Sequence, residues 1–255
     1  MPFVDVGGAR IEYERIERGR TPTIVLLHEG LGSVAMWRDF PAEVARATGH
    51  DVLAYSRQGY GRSSPLRGAR PVRFMHDEAL VVLPRLLDAL AVSRPVLLGH
   101  SDGASIAIVP SGGSGRAVAG LVLLAPHVMV EEVTVASIAA ARRAYETQDL
   151  RARLSRYHDD VDGAFRGWND VWLAPEFRAW NVEEYLPAIT CPILAIQGGR
   201  DEYGTMEQID RIERAARDVE PLALPGAGHS AHRDCPAEVL GAVGRFVSSL
   251  PDEVR

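Results

Sequence analysis

Lysine is absent: all 28 basic side chains of this 255-residue chain are arginine. Schiff-base chemistry, pyridoxal-phosphate attachment and the lysine of nucleotide-binding P-loops are therefore closed to it, whatever its fold. Cysteine is nearly absent too. Cys191 and Cys235 are too few for a disulfide framework or a four-ligand zinc site and form no C-x-x-C pair, so both read as buried structural thiols. No apolar run approaches the ~20 residues of a membrane helix, and Met1-Pro2-Phe3-Val4-Asp5 lacks a basic segment followed by an apolar one. Positive charge is not in excess: a net charge of -6 gives no electrostatic footprint for nucleic acid or an anionic membrane. The expectation is a cytoplasmic protein without nucleic-acid or membrane partners.

What is present is an ordinary globular composition, 46% apolar and 24% charged. The length suits one α/β domain carrying an insertion. Short apolar runs at Phe3–Val6, Ile11–Arg15, Thr23–His28, Asp51–Tyr55, Val96–His100, Leu121–Ala125, Ile193–Gln197 and Glu220–Leu224 predict eight strands. Continuous runs such as Ile24-Val25-Leu26-Leu27 suit interior strands of a parallel sheet covered on both faces. The first two runs carry charge and suit antiparallel edge strands. Amphipathic stretches between the runs supply the crossover helices that parallel strands require. In Thr205–Arg217, Met206, Ile209, Ile212 and Ala216 form one stripe, with Glu207/Arg211, Asp210/Arg214 and Glu213/Arg217 as acid-to-base pairs on the solvated side. Pro236–Ser249 opens on proline and predicts a helix packed on the sheet. In His76–Leu90, Pro84 should kink or interrupt the helix.

The alternation stops between His127 and Pro187. That stretch has no strand-like run and holds Tyr145, Tyr157, Phe165, Trp168, Trp172, Phe177, Trp180 and Tyr185. A helical insertion between two strands of a regular sheet predicts a cap, residues 127–187, over a core of residues 1–126 and 188–255, lying where open α/β sheets bind ligands. Most of these aromatics should fill the cap's own core. Trp168 and Trp172 are the candidates for substrate contact.

The chemistry is concentrated in Gly99-His100-Ser101-Asp102-Gly103, a G-x-S-x-G at the end of an apolar run with a plausible helix after it. Glycines at those positions permit a strained strand-to-helix turn with the Ser101 hydroxyl at its tip. A serine hydroxyl needs a base to take its proton, and the base needs a third group to fix its tautomer. Asp201 follows the Ile193–Gln197 run in Gly198-Gly199-Arg200-Asp201, with Glu202 as a neighbouring competitor. His229 follows the next run in Pro225-Gly226-Ala227-Gly228-His229, with His232 as its rival. The pair His229/His232 could suggest a metal, but no further ligand spacing completes such a site. For the developing oxyanion, the amide of Asp102 supplies one donor, and Gly30 in His28-Glu29-Gly30-Leu31-Gly32-Ser33 the other, with Glu29 N–H as competitor. His28 reads as a loop organiser.

These residues resemble the α/β-hydrolase superfamily over nearly the whole chain. The resemblance rests on Leu26-Leu27-His28-Glu29-Gly30, on Ser56-Arg57-Gln58-Gly59-Tyr60-Gly61-Arg62-Ser63, which is similar to the family's D-x-R-G-x-G-x-S turn, and on the elbow, acid and histidine elements above. It implies a mostly parallel eight-stranded sheet flanked by helices, a Ser101/His229/Asp201 triad acting through an acyl-enzyme, and no cofactor or metal. Two positions depart from the pattern: Glu29 replaces a glycine of the oxyanion loop, and Ser56 replaces the aspartate of the turn. The elbow also resembles that of the valacyclovir hydrolases, which implies that Asp102, joined by Glu29, receives the amino group of the substrate. The alternative is an Asp102 turned away to brace a loop. The expected activity is cleavage of a small, partly apolar carboxylic ester or related activated acyl compound such as a thioester. Alternatives are cofactor-free C–C hydrolysis of a β-diketone-like substrate, and a ligand-sensing protein with little turnover.

Overall fold

The computed structural model describes residues 1–251. Eight strands form a single sheet: β1 (Phe3–Val6), β2 (Ala9–Ile16), β3 (Ile24–Leu27), β4 (Val52–Tyr55), β5 (Val96–His100), β6 (Gly120–Leu124), β7 (Ile193–Gly198) and β8 (Val219–Leu224). Their spatial order is β1-β2-β4-β3-β5-β6-β7-β8. Every predicted strand is present, with ends shifted by at most two residues. As the charged early runs suggested, β1 and β2 pair antiparallel, but only β1 is an edge strand: β2 also meets β4 antiparallel, a correction to the expectation of two edge strands. The remaining pairs are parallel.

The continuous apolar runs have a direct cause. Alternate residues of a strand point to opposite faces. Val25, Leu27, Leu53, Tyr55, Leu97, Leu121 and Leu123 enter one core with the aromatics of residues 127–187. Ile24, Leu26, Val52, Ala54, Leu98, Val122, Leu194 and Ile196 enter a second core. There they meet Val44 of helix α1 (Phe40–Thr48) and residues of the last helix, Pro236–Ser249. Both faces of β3 to β7 are buried, so these strands have no solvent-facing side.

Helices α2 (Phe74–Asp77) and α3 (Leu83–Ala89) flank a π-helical turn, Glu78–Val82. Pro84 sits at the start of α3, where its missing N–H is tolerated, so the predicted interruption takes the form of a wide turn just before it. Helix α4 (Asp102–Gly113) follows β5. Between β6 and β7 lie α5 (Glu132–Thr147), α6 (Leu150–Leu154), α7 (Val161–Trp172) and the short 3-10 turns Pro175–Ala179 and Glu183–Ala188. Stacked Phe177 and Trp180, with centroids 5.4 Å apart, and Tyr145 on Phe165 at 3.7 Å fill the interior of this helical layer.

Helix α8 (Glu207–Ala215) is shorter than expected, and its charges pair differently. Glu207 meets Arg211 at 2.8 Å as expected, but Arg214 also turns to Glu207 at 2.8 Å rather than to Asp210. The helix ends before Ala216 and Arg217, which removes the third expected pair and the last stripe residue from the helical register. The short α9 (Ala231–Asp234) leads into α10 (Pro236–Ser249), with Val239, Val243, Phe246 and Val247 buried. Cys191 and Cys235 are unpaired and only partly buried, a correction to the expectation of buried thiols. Among the described residues no helix is long and apolar enough to cross a membrane.

Candidate active site

The loops that leave the carboxyl ends of β3, β5, β6, β7 and β8 meet at one end of the sheet. The chain runs from β3 to β4 on one side and to β5 on the other, so a crevice opens there. A cavity of about 220 Å³ fills it, lined by Glu29, Gly30, Leu31, Met36, Ser101, Asp102, His127, Thr134, Ile138, Leu150, Leu154, Trp168, Trp172, Tyr203 and His229. The sheet supplies the polar residues. The helical layer between β6 and β7 supplies most of the apolar ones.

Ser101 stands between β5 and α4 with φ 54° and ψ -120°, a conformation that costs a residue with a Cβ on the order of 1–3 kcal/mol. The flanking glycines explain how the turn closes. A methyl group at Gly99 would lie 2.3 Å from the carbonyl oxygen of Gly103, and one at Gly103 would lie 2.0 Å from the carbonyl oxygen of Leu27. Helix α4 is thus pressed onto β3 at a distance only glycine allows. The Asp102 amide opens this helix at a position with no helical acceptor, and the Gly30 amide has no hydrogen-bond partner among the described residues.

Asp201 and His229 are joined. His229 Nδ1 lies 3.0 and 2.9 Å from the two Asp201 carboxylate oxygens, so its N–H donates to that carboxylate and leaves Nε2 as the basic nitrogen. Asp201 also accepts from the amides of Tyr203 at 2.7 Å and Gly204 at 3.2 Å and from the Gln197 side chain at 2.8 Å. Burial works against the charge of this carboxylate, but the His229 ring and the Tyr203 amide outweigh it and hold its pKa below the usual range. Ser101 and His229 line the same cavity without a hydrogen bond between them. Such contacts are often loose without substrate and tighten when it binds.

The competitors fall elsewhere. Glu202 is exposed and accepts the His229 amide at 3.4 Å. His232 is packed against Trp37 and Phe40 with ring centroids 5.3 and 5.0 Å away, and burial pushes its pKa down to about 2. His28 organises the loop, its Nδ1 donating to the Glu29 carbonyl at 2.7 Å and its Nε2 accepting the Arg57 amide at 3.1 Å. Ser56 donates to Glu12 at 2.8 Å, and Glu12 also accepts the Arg62 amide at 3.0 Å, so a carboxylate from β2 serves the turn that lacks its own.

Asp102 is 1% exposed. Its Oδ1 accepts from the Trp172 indole at 3.1 Å, and its Oδ2 lies 3.9 Å from Arg57 Nη1. Arg57 is itself buried and donates to the Glu29 carbonyl at 2.8 Å. Burial raises the pKa of Asp102 against the pull of Arg57. The contacts match the bracing alternative: this carboxylate ties helix α7 and the Arg57 turn to the turn at Ser101. Glu29 is less engaged, its Oε2 lying 3.6 Å from His100 Nδ1. Burial opposes its charge, and the His100 ring more than compensates, so its pKa falls well below the usual range. His100 Nε2 in turn donates to the His229 carbonyl at 2.9 Å.

Trp168 and Trp172 both line the cavity. A methyl group at Gly30 would lie 2.1 Å from Trp168 Nε1, so this indole rests directly on the loop that follows β3. Four participants escaped the sequence reading: Arg57, His100, His127 and Tyr203. Tyr203 packs against His229 with ring centroids 4.7 Å apart and planes tilted by 43°, and its carbonyl accepts from Thr134 of α5. Their one sequence signal is position, since each lies at or within a few residues of the end of a strand.

A serine at a tight strand-to-helix turn, five loops gathered at one end of an eight-stranded, mostly parallel sheet, and a helical layer above them define an α/β hydrolase. The chain matches the model of the Alpha/beta hydrolase family over residues 24–242 and belongs to that family. It is similar to the putative carbamate hydrolase RutD of Variovorax paradoxus, 30% identical over 228 residues that cover 81% of this chain and 84% of that one. It also resembles N-formylmaleamate deformylase of Pseudomonas putida, 25% identical over 262 residues, 96% of this chain and 95% of that one. The solved enol-lactonase from Burkholderia xenovorans LB400 shares the fold with a TM-score of 0.77 at 20% identity, over 97% of this chain and 100% of that one.

Proposed function

We propose that the protein is a serine hydrolase that cleaves a small, partly apolar ester or related activated acyl compound through an acyl-enzyme. The observation that carries this reading is the Asp201–His229 pair on the wall of the same cavity as a serine held at positive φ. In the proposed reaction His229 Nε2 takes the Ser101 proton as the hydroxyl attacks the carbonyl carbon. The Gly30 and Asp102 amides receive the oxyanion, His229 protonates the leaving group, and a water activated by the same imidazole releases the acid. Asp201 keeps His229 in the required tautomer. No step calls for a cofactor or a metal. Residues 127–187 act as the cap that excludes water.

The lining also bears on substrate charge. Two carboxylate residues, Glu29 and Asp102, border the cavity, and no arginine does. An anionic substrate would meet like charge in a site of low polarity, whereas a neutral or ammonium-bearing one would not. Glu29 rather than the braced Asp102 is the carboxylate free to meet an amino group. The deformylase relative, and a 2-(acetamidomethylene)succinate hydrolase of Mesorhizobium japonicum at 21% identity, are named for anionic substrates, and on this reading the present chain takes a neutral or cationic one instead.

The test is labelling by a fluorophosphonate probe together with turnover of p-nitrophenyl, aminoacyl and thioester substrates, with carbamates and a β-diketone as further arms. Ser101→Ala should abolish both labelling and turnover without unfolding the protein. Labelling at another residue refutes the nucleophile. Turnover of the β-diketone alone favours C–C hydrolysis, and a ligand-dependent partner complex without turnover favours a sensor.

A further inference from the structure

His127 has no place in the reaction just described, yet it lies in the cavity. It follows β6, is 2% exposed, and is held by its backbone: its carbonyl accepts from the Ser105 hydroxyl at 2.6 Å and its amide donates to the same oxygen at 3.3 Å. Its ring sits between two functional groups, 5.9 Å from the His229 ring and 5.4 Å from the Trp172 ring, edge-on to the latter. Neither ring nitrogen has a hydrogen-bond partner among the described residues, and Nδ1 is fully enclosed. A buried polar group left this way costs on the order of 1–3 kcal/mol, and an apolar residue of similar shape would avoid that cost.

We propose that His127 is a specificity-determining residue whose imidazole hydrogen-bonds a neutral polar group, a hydroxyl, carboxamide or carbonyl, on the leaving-group side of the substrate. The proposal rests on the reading of this cavity as the site of acyl transfer. The side follows from position, because His127 neighbours the imidazole that would protonate the leaving group. The neutrality follows from charge. Burial first, and the nearby His229 second, lower the His127 pKa to about 3, against the weaker pull of Asp201 in the other direction. With Nδ1 enclosed, the neutral ring meets a ligand through Nε2, which donates in one tautomer and accepts in the other, while Glu29 on the same wall disfavours a carboxylate there.

The experiment compares 2-hydroxyethyl butanoate with propyl butanoate, esters of nearly equal size that differ in one terminal hydroxyl. One hydrogen bond corresponds to about a tenfold preference in kcat/KM for the hydroxyethyl ester. His127→Phe should collapse that ratio to about one, and His127→Gln, which keeps a neutral donor and acceptor, should restore part of it. A merely structural histidine would lower both esters together. No preference in the unaltered protein, or a preference that survives His127→Phe, overturns the proposal. The same pair of dissociation constants, measured calorimetrically in Ser101→Ala protein, separates the two readings. Absence of fluorophosphonate labelling in the unaltered protein defeats the hydrolase reading, and the binding ratio then decides His127 alone, equal or undetectable binding of both esters counting against it.

Discussion

Gly103 offers the most direct test of how the elbow is built. Its substitution by alanine adds one methyl group, 2.0 Å from the Leu27 carbonyl oxygen, 2.5 Å from the Leu27 carbonyl carbon and 2.8 Å from the His28 carbonyl oxygen. All three neighbours are backbone of or beside β3, a central strand paired on both sides, so none can swing away as a side chain would. To reach even 3.0 Å, helix α4 must retreat by about 1 Å. Overpacking of this kind costs about 1–3 kcal/mol, and a shift of about 1 Å in a reacting group can lower a rate by ~100-fold. The helix carries the Ser101 turn and the Asp102 amide at its start, so the displacement falls where geometry matters most. Gly103→Ala should therefore lose about 1–3 kcal/mol by urea unfolding and about two orders of magnitude in the rate of fluorophosphonate labelling at Ser101. The control is Gly226→Ala, whose added methyl meets nothing within 4 Å and which should stay within about 0.5 kcal/mol of the parent. Parent-like stability and labelling in Gly103→Ala would refute the close-approach argument.

Two further substitutions probe the buried polar groups around the site. Both ring nitrogens of His232 are buried without partners beside Trp37 and Phe40, so His232→Phe should stabilise the protein by about 1 kcal/mol at neutral pH. The pH dependence has a definite sign. With a folded pKa of about 2 against 6.5 unfolded, the unfolded chain binds the extra proton between those values, and this histidine costs stability as pH falls below 6.5. The advantage of His232→Phe should thus grow by about 2 kcal/mol between pH 7 and pH 5 in paired urea melts, and a constant difference would contradict the assignment. Arg57→Met leaves the Asp102 carboxylate buried without its counter-charge and removes the hydrogen bond to the Glu29 carbonyl. It should cost about 3–5 kcal/mol in urea unfolding, and adding Asp102→Asn should recover part of that, whereas a loss under about 1 kcal/mol would show the pair to be unimportant.

The sheet was legible because its signal is local. Ile24-Val25-Leu26-Leu27 and Leu121-Val122-Leu123-Leu124 are apolar at every position, and only strands covered on both faces require that. The elbow was legible for a related reason, since Gly99 and Gly103 record a backbone approach that no other residue permits. Signals that depend on distant partners were misread or missed. Arg214 takes Glu207 instead of Asp210. The role of Ser56 depends on Glu12, 44 residues earlier in the chain.

The amino-acid order by itself determined the architecture and singled out the three side chains proposed for the chemistry, because strand burial, turn sterics and the need of a serine for a base each leave a mark within a few residues. Only the folded chain decided what surrounds them. Asp102 is turned toward Trp172, 70 residues away, and His127 is left unpartnered beside His229. Such environments arise where loops from five strands converge, and the partners of a buried polar group are set by that convergence rather than by its neighbours in the chain.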